Sequence, residues 1–186
     1  MNCPPFLRSL APVLALCLLA APAHSQEDRA KVIASIPLPA GLTAEKADLT
    51  LRGRIAGGLP LYLDLATLQA FPQSSFACVD PWDGKRHLFT GILISDLLAR
   101  AGIEAGATRI VVEAKNKYSI PIRRADWERY GYMLAFRLDD RPFSEDKATR
   151  NRGLLIVAID FAKYPELDPE LYKHQLVWQV ADILVE

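Results

Sequence analysis

The stretch FACVDPWDGKRHLFTG, residues 76–91, decides how this chain folds. Ser75 to Val79 reads as a strand, Pro81 to Arg86 as a turn with Gly84 at its tip, and His87 to Thr90 as extended chain again. A reversal of this kind brings Cys78 and His87 within reach of each other on adjacent strands. Cys78 is open to three readings: a metal ligand, a reactive thiol, or a small apolar residue of the core. Asp80 and Asp83, which flank Trp82, are explained by turn chemistry.

Upstream, the chain changes character. Arg8 is the only charged residue before Glu27, Ser9 to Ala21 is an almost unbroken apolar run, and Ala23-His24-Ser25 offers small residues at the positions a signal peptidase reads. These features predict a signal peptide over residues 1–25. The run is shorter than the roughly 20 residues a bilayer span needs, so no transmembrane anchor is expected after cleavage. Arg8 precedes Ser9 rather than a second arginine, which points to the general secretory route, with the chain crossing unfolded, and to a periplasmic or secreted location. Cys3 and Cys17 lie in this leader, which leaves Cys78 alone and an internal disulfide impossible.

The full sequence balances 22 basic against 22 acidic residues. It lacks the electrostatic footprint of a nucleic-acid binder or of a polybasic membrane-surface protein. Its length suits one domain of ordinary size.

Downstream of the leader, residues 26–46 read as an extended arm or linker, with Pro37 and Pro39. DLTLRGRI (48–55) alternates apolar and polar side chains as a half-buried strand does. Asp64 caps a short helix that Pro72 ends. Ile92, Leu93, Asp96, Leu97 and Ala101 carry helical spacing up to Gly102. RIVVEA (109–114) is a strand and Asn116 sits in the bend after it. YSIPI (118–122) is expected to pair with the segment on its C-terminal side, near an edge because of Pro121. RRADWERYG is a short helix, YMLAFRLD a strand, and Asp139-Asp140 a hairpin turn. LLIVAI (154–159) has the composition of a central buried strand, Asp168-Pro169 opens a short helix, and VWQVADILVE closes the chain as a strand. Many strands and short helices without a regular βαβ rhythm predict an α+β domain of mixed β-sheets over residues 47–186.

The order of these landmarks resembles the oxidoreductase molybdopterin-binding domain, the sulfite-oxidase-type fold, in its small exported single-domain branch. The matching pieces are Leu51-Arg52-Gly53, Pro81-Trp82-Asp83-Gly84, Phe89-Thr90-Gly91-Ile92-Leu93, Asn116-x-Tyr118-x-Ile120-Pro121, Arg150-Asn151-Arg152-Gly153-Leu154 and Val177-Trp178-Gln179. Cys78-Val79-Asp80-Pro81-Trp82 is similar to a Cys-Val-Glu-Ala-Trp run in a periplasmic molybdoenzyme of that superfamily. The resemblance therefore places Cys78 at the molybdenum-ligand position and Trp82, Asn116, Tyr118, Arg150 and Arg152 around the molybdopterin. Lys85, Arg86 and His87 would favour the Cys78 thiolate if they lie close to it.

The chain also departs from the catalytic pattern. Gly153 is followed by Leu154-Leu155-Ile156 rather than by a Pro-x-Arg run, and Val177 stands where catalytic relatives have a lysine before Trp178. Secretion of an unfolded chain does not carry a pterin across the membrane. The expectation is thus a cofactor-free accessory module of a periplasmic redox or signalling system. It would bind a small-molecule ligand or a periplasmic partner protein in a groove lined by Cys78, Trp82, Asn116, Tyr118 and Arg150. The alternatives are a molybdopterin-dependent oxidoreductase with Cys78 on the metal and a thiol enzyme using Cys78 with His87.

Overall fold

The computed structural model describes residues 23–39, 41–145, 147 and 149–186. The leader expected over residues 1–25 lies almost entirely outside this set. In chain order come α1 (Ala23–Ser35), β1 (Leu49–Gly53), β2 (Leu61–Leu63), α2 (Leu65–Gln69), β3 (Gln73–Val79), β4 (Arg86–Leu93) and α3 (Ile94–Ala101). Then follow β5 (Arg109–Ala114), β6 (Ser119–Arg123), α4 (Arg124–Tyr130), β7 (Met133–Leu138), β8 (Arg141–Pro142), β9 (Ile156–Ala158), α5 (Pro169–Tyr172) and β10 (Val180–Val185).

Among the described residues the strands form two five-stranded sheets, with few, short helices, which is a mixed α+β arrangement. The first sheet runs β2-β1-β10-β5-β6, with β10 parallel to β1 and antiparallel to β5. The second runs β3-β4-β7-β8, and β9 pairs with β7. Apolar residues on alternate positions of β1, β5 and β10 (Leu49, Leu51, Ile110, Val112, Ile183, Val185) enter one large core together with Leu97 and Leu98 of α3. Each such side chain, fully removed from water, contributes about 1.5–3 kcal/mol before entropic costs. Strand β7 is buried on both faces: Leu134 and Phe136 point into the large core, and Met133 and Ala135 into a smaller one with Cys78, Phe89, Ile156 and Ala158. Burial on both sides explains why MLAFRL reads as a continuous apolar run rather than an alternation.

Local signals behave as their chemistry dictates. The Asp64 carboxylate accepts the Thr67 N–H at 2.8 Å and starts α2. Gly102 and Gly131 end α3 and α4 in the left-handed region. Asp139 and Asp140 both have positive φ, 50° and 64°, as a two-residue hairpin turn with the twist of its strands requires. Gly91 permits the approach of β4 to β7, since a Cβ there would lie 2.0 Å from the Leu134 carbonyl oxygen.

Five expectations need correction. Of the arm expected as extended over residues 26–46, residues 26–35 are helical and belong to α1. Ile33 and Ile36 are buried, Arg29 pairs with Asp96 of α3, and the Arg100 guanidinium donates to the Ile36 carbonyl at 2.8 Å. The stripe Arg29-Ile33-Ile36 becomes legible only once α3 is there to receive it. Ile92 and Leu93 belong to β4, and α3 begins at Ile94. Strand β6 pairs with the preceding β5, at the sheet edge. Strand β9 is three residues long and lies at the margin of its sheet; its burial comes from packing above and below, not from central pairing. Trp178 precedes β10 rather than lying in it.

Candidate functional site

The turn between β3 and β4 carries the densest polar chemistry of the molecule. Asp80, 2% exposed, accepts the Trp82 N–H through one carboxylate oxygen at 3.0 Å, while its other oxygen takes the guanidinium of Arg152. Arg152 is itself 4% exposed, sits in a 3-10 turn at Arg150–Arg152, and lies 3.6 Å from Asp83. Its guanidinium carbon stands 4.8 Å from the centre of the Trp178 ring. Trp178 meets Trp82 with ring centres 5.0 Å apart and planes at 58°. One buried ion pair therefore holds both tryptophans. Gly153, at φ 83°, lets Gln179 pack against this turn, and the Gln179 amide donates to the Asn151 carbonyl at 2.7 Å.

The tryptophan pair, with Leu176, separates two spaces. On one side is a nook of about 10 Å³ holding Cys78 among Phe89, Ile156, Ala158 and Phe161. That is room for about one water. Cys78 is 2% exposed, and its thiol donates weakly to the Ile159 carbonyl at 3.7 Å. Burial pushes the thiol up to about 11; the Phe161 backbone N–H opposes this, the nearby Asp160 and Asp80 carboxylates add to it, and Arg86 opposes it least. The expected thiolate-favouring effect of the basic run is overturned, because desolvation outweighs it.

On the other side lies an open cleft of about 220 Å³, lined by Trp82, Asn116, Tyr118, His174, Val177 and Trp178. Tyr118 is fixed by donating its hydroxyl proton to the His174 carbonyl at 2.7 Å, and Asn116 Oδ1 accepts the Tyr118 N–H at 3.0 Å. The Lys173 ammonium stands 5.0 Å from the centre of the Trp82 ring.

Of the residues expected to share one groove, Trp82, Asn116 and Tyr118 do come together. Cys78 lies behind the aromatic wall, and Arg150 is exposed and lines neither space.

His87 is the register partner of Cys78 across β3 and β4. Its Nδ1 meets Asp139 at 2.7 Å and its Nε2 meets Asp83 at 3.0 Å. Burial alone would lower its pKa, but the hydrogen bonds to Asp139 and Asp83 outweigh that and raise it. A ring so clamped has no nitrogen left to take a proton from Cys78. Asp80, Asp83 and His87 also bring three ligand atoms within 4.8 Å of one another, and the cation among them is the Arg152 guanidinium.

A molybdenum-bound pterin requires a thiolate facing open space and cations free for its phosphate. Here the thiol is buried beside a space of about 10 Å³, Arg152 is consumed by Asp80, and Arg150 lines neither space. These residues do not fit the group in this arrangement.

The residue that sequence reading missed is Asp80. A carboxylate directly before proline within an apolar segment was its signal, and turn chemistry absorbed it.

No protein-family model matches this chain, and no curated protein matches it. Among solved structures it is similar to a chain in the crystal structure of the sulfane dehydrogenase SoxCD from Paracoccus pantotrophus. The TM-score is 0.56 at 12% identity, over 95% of this chain and 56% of that one. The chain thus spans little more than half the length of that neighbour, and the likeness is one of fold. Among the described residues no helix is long and apolar enough to cross a membrane.

Proposed function

We propose that this chain is an exported, cofactor-free binding module of sulfite-oxidase-type fold, an accessory part of a periplasmic redox or signalling system. The likeness to a chain of the sulfane dehydrogenase SoxCD supports the fold. The observation that carries the function is the state of Arg152. Of the two arginines expected near a pterin phosphate, Arg152 is buried, paired with Asp80 and stacked on Trp178, and Arg150 lines neither space. The pocket chemistry has been turned inward to brace an aromatic wall, and the open cleft on the far side of that wall is left as the binding surface. No electron or group transfer follows from such a site. Its work is recognition: rigid ring faces, a few hydrogen-bond donors, and a nearby cation.

Elemental analysis tests this reading. The protein is purified from the periplasm of a host able to make molybdopterin, and molybdenum is measured against protein. The expected result is metal far below one equivalent. Near-stoichiometric molybdenum that disappears in Cys78→Ser overturns the proposal in favour of a molybdopterin-dependent oxidoreductase.

A further inference from the structure

We infer that the cleft between Trp82 and Tyr118 binds a small planar aromatic ligand bearing an acidic group, an aromatic carboxylate in chemical class. The inference rests on the cofactor-free reading above and deepens it.

Two independent features carry it. The first is the wall. Trp82 and Tyr118 are 44% and 43% exposed, unusual for such large side chains. Neither is loose. The Trp82 backbone is tied to Asp80, the Tyr118 hydroxyl is tied to the His174 carbonyl, and Trp178 is backed by Arg152. Exposed rings held this firmly offer apolar area at little entropic cost on binding. A cleft of about 220 Å³ admits one or two fused rings.

The second feature is the donor set. Asn116 Oδ1 already accepts the Tyr118 N–H, which leaves both amide N–H donors of that side chain and one oxygen lone pair for a ligand. The Lys173 ammonium lies over Trp82, and its partner at 3.7 Å, the Glu170 carboxylate, is exposed, so that the pair is weakly held. The cleft thus presents the Asn116 amide N–H groups, and a cation stands at its Trp82 wall. A ligand matched to it brings a ring for the walls and acceptor oxygens for the rim. A cationic aromatic would meet Lys173 as a like charge.

Titration followed by tryptophan fluorescence and calorimetry tests this, with benzoate and indole-3-acetate as the anionic probes. Benzyl alcohol serves as the neutral probe, benzylamine as the cation and hexanoate as the non-aromatic acid. Saturable binding of the two aromatic acids is expected, with benzylamine and hexanoate each weaker by about tenfold or more, a difference of about 1.4 kcal/mol. Trp82→Ala should weaken benzoate by about tenfold and Lys173→Gln by a few-fold. Lys31→Gln, on the exposed face of α1, should change nothing. Trp82→Phe, which keeps a ring, should retain most of the affinity and guards against misreading a folding defect. Benzylamine binding as tightly as benzoate, unchanged affinity in Trp82→Ala, or no saturable response to any aromatic acid would each overturn the inference. Metal analysis of the same preparation separates the two failures: a metal-free protein that ignores aromatic acids defeats this inference alone.

Discussion

The two sides of the Trp82–Trp178 wall share three residues and have opposite fates. Behind it, Cys78 is sealed in about 10 Å³ with its thiol protonated; in front, Asn116 and Tyr118 border about 220 Å³ of open cleft. What separates them is where the positive charge of Arg152 goes. Aimed into open space, that guanidinium would make an anion site next to a cysteine. Bound to Asp80 and laid on Trp178, it closes the cysteine side and stiffens the other. A single ion pair thus decides which side of the wall stays usable.

Breaking that pair is the strongest test of the contrast. Arg152→Met leaves the Asp80 carboxylate buried without its cation, and a loss of about 3–5 kcal/mol is expected in urea unfolding. The double variant Asp80→Asn/Arg152→Met should recover a large part of it, because no charge is then left stranded. Equal losses in the single and double variants would show that the pair does not organise the wall.

The closed side predicts an inert thiol. With its pKa near 11 instead of 9.0, Cys78 presents about a hundredfold less thiolate at neutral pH than an ordinary cysteine, before burial is counted. Iodoacetamide should leave the native protein unlabelled under conditions that label it fully in denaturant. Ready native labelling would mean that the nook opens.

The smallest expected effect concerns the clamp under the turn. His87 has a raised pKa in the folded state, so its contribution to stability is complete below its unfolded value near 6.5 and is lost as pH rises through the folded value. Asp83 and Asp139 are lowered: burial opposes this, but the Lys85 and Leu88 N–H groups and His87 prevail. Their contribution is present above the usual carboxylate range and fades as pH falls through the lowered values. Thermal melts should therefore show a loss on the alkaline side of about 1 kcal/mol that salt reduces and His87→Phe removes. A pH profile unchanged in that variant would sever the clamp from the turn it supports.

Much of the fold was legible because it rests on local chemistry. The Asp64 cap, the stops at Gly102 and Gly131, the Asp139-Asp140 hairpin and the alternation of β1 and β5 all depend on neighbours a few residues away. The failures share a different cause. The α1 helix needs α3 to give its stripe a meaning, LLIVAI owes its burial to layers rather than to strand partners, and Ile92 and Leu93 fit a helix and a buried strand equally well. Within the site, Trp82, Asn116 and Tyr118 line one cleft, and it was the resemblance in the order of landmarks that grouped them. The same resemblance grouped Cys78 and Arg150 with them, because an order of landmarks does not record the side of a wall.

By itself the sequence determined an α+β chain with Cys78 as the one cysteine beyond residue 25, balanced charge, and a turn at Asp80–Arg86 between two strands. Periodicity and turn stereochemistry are properties of short segments, and they survive without a tertiary context. Only the folded chain decided that Asp80 and Arg152, 72 residues apart, would find each other away from water. Two charges removed from water are costly unless they meet, and which charges meet depends on how the sheets stack, which no short segment records.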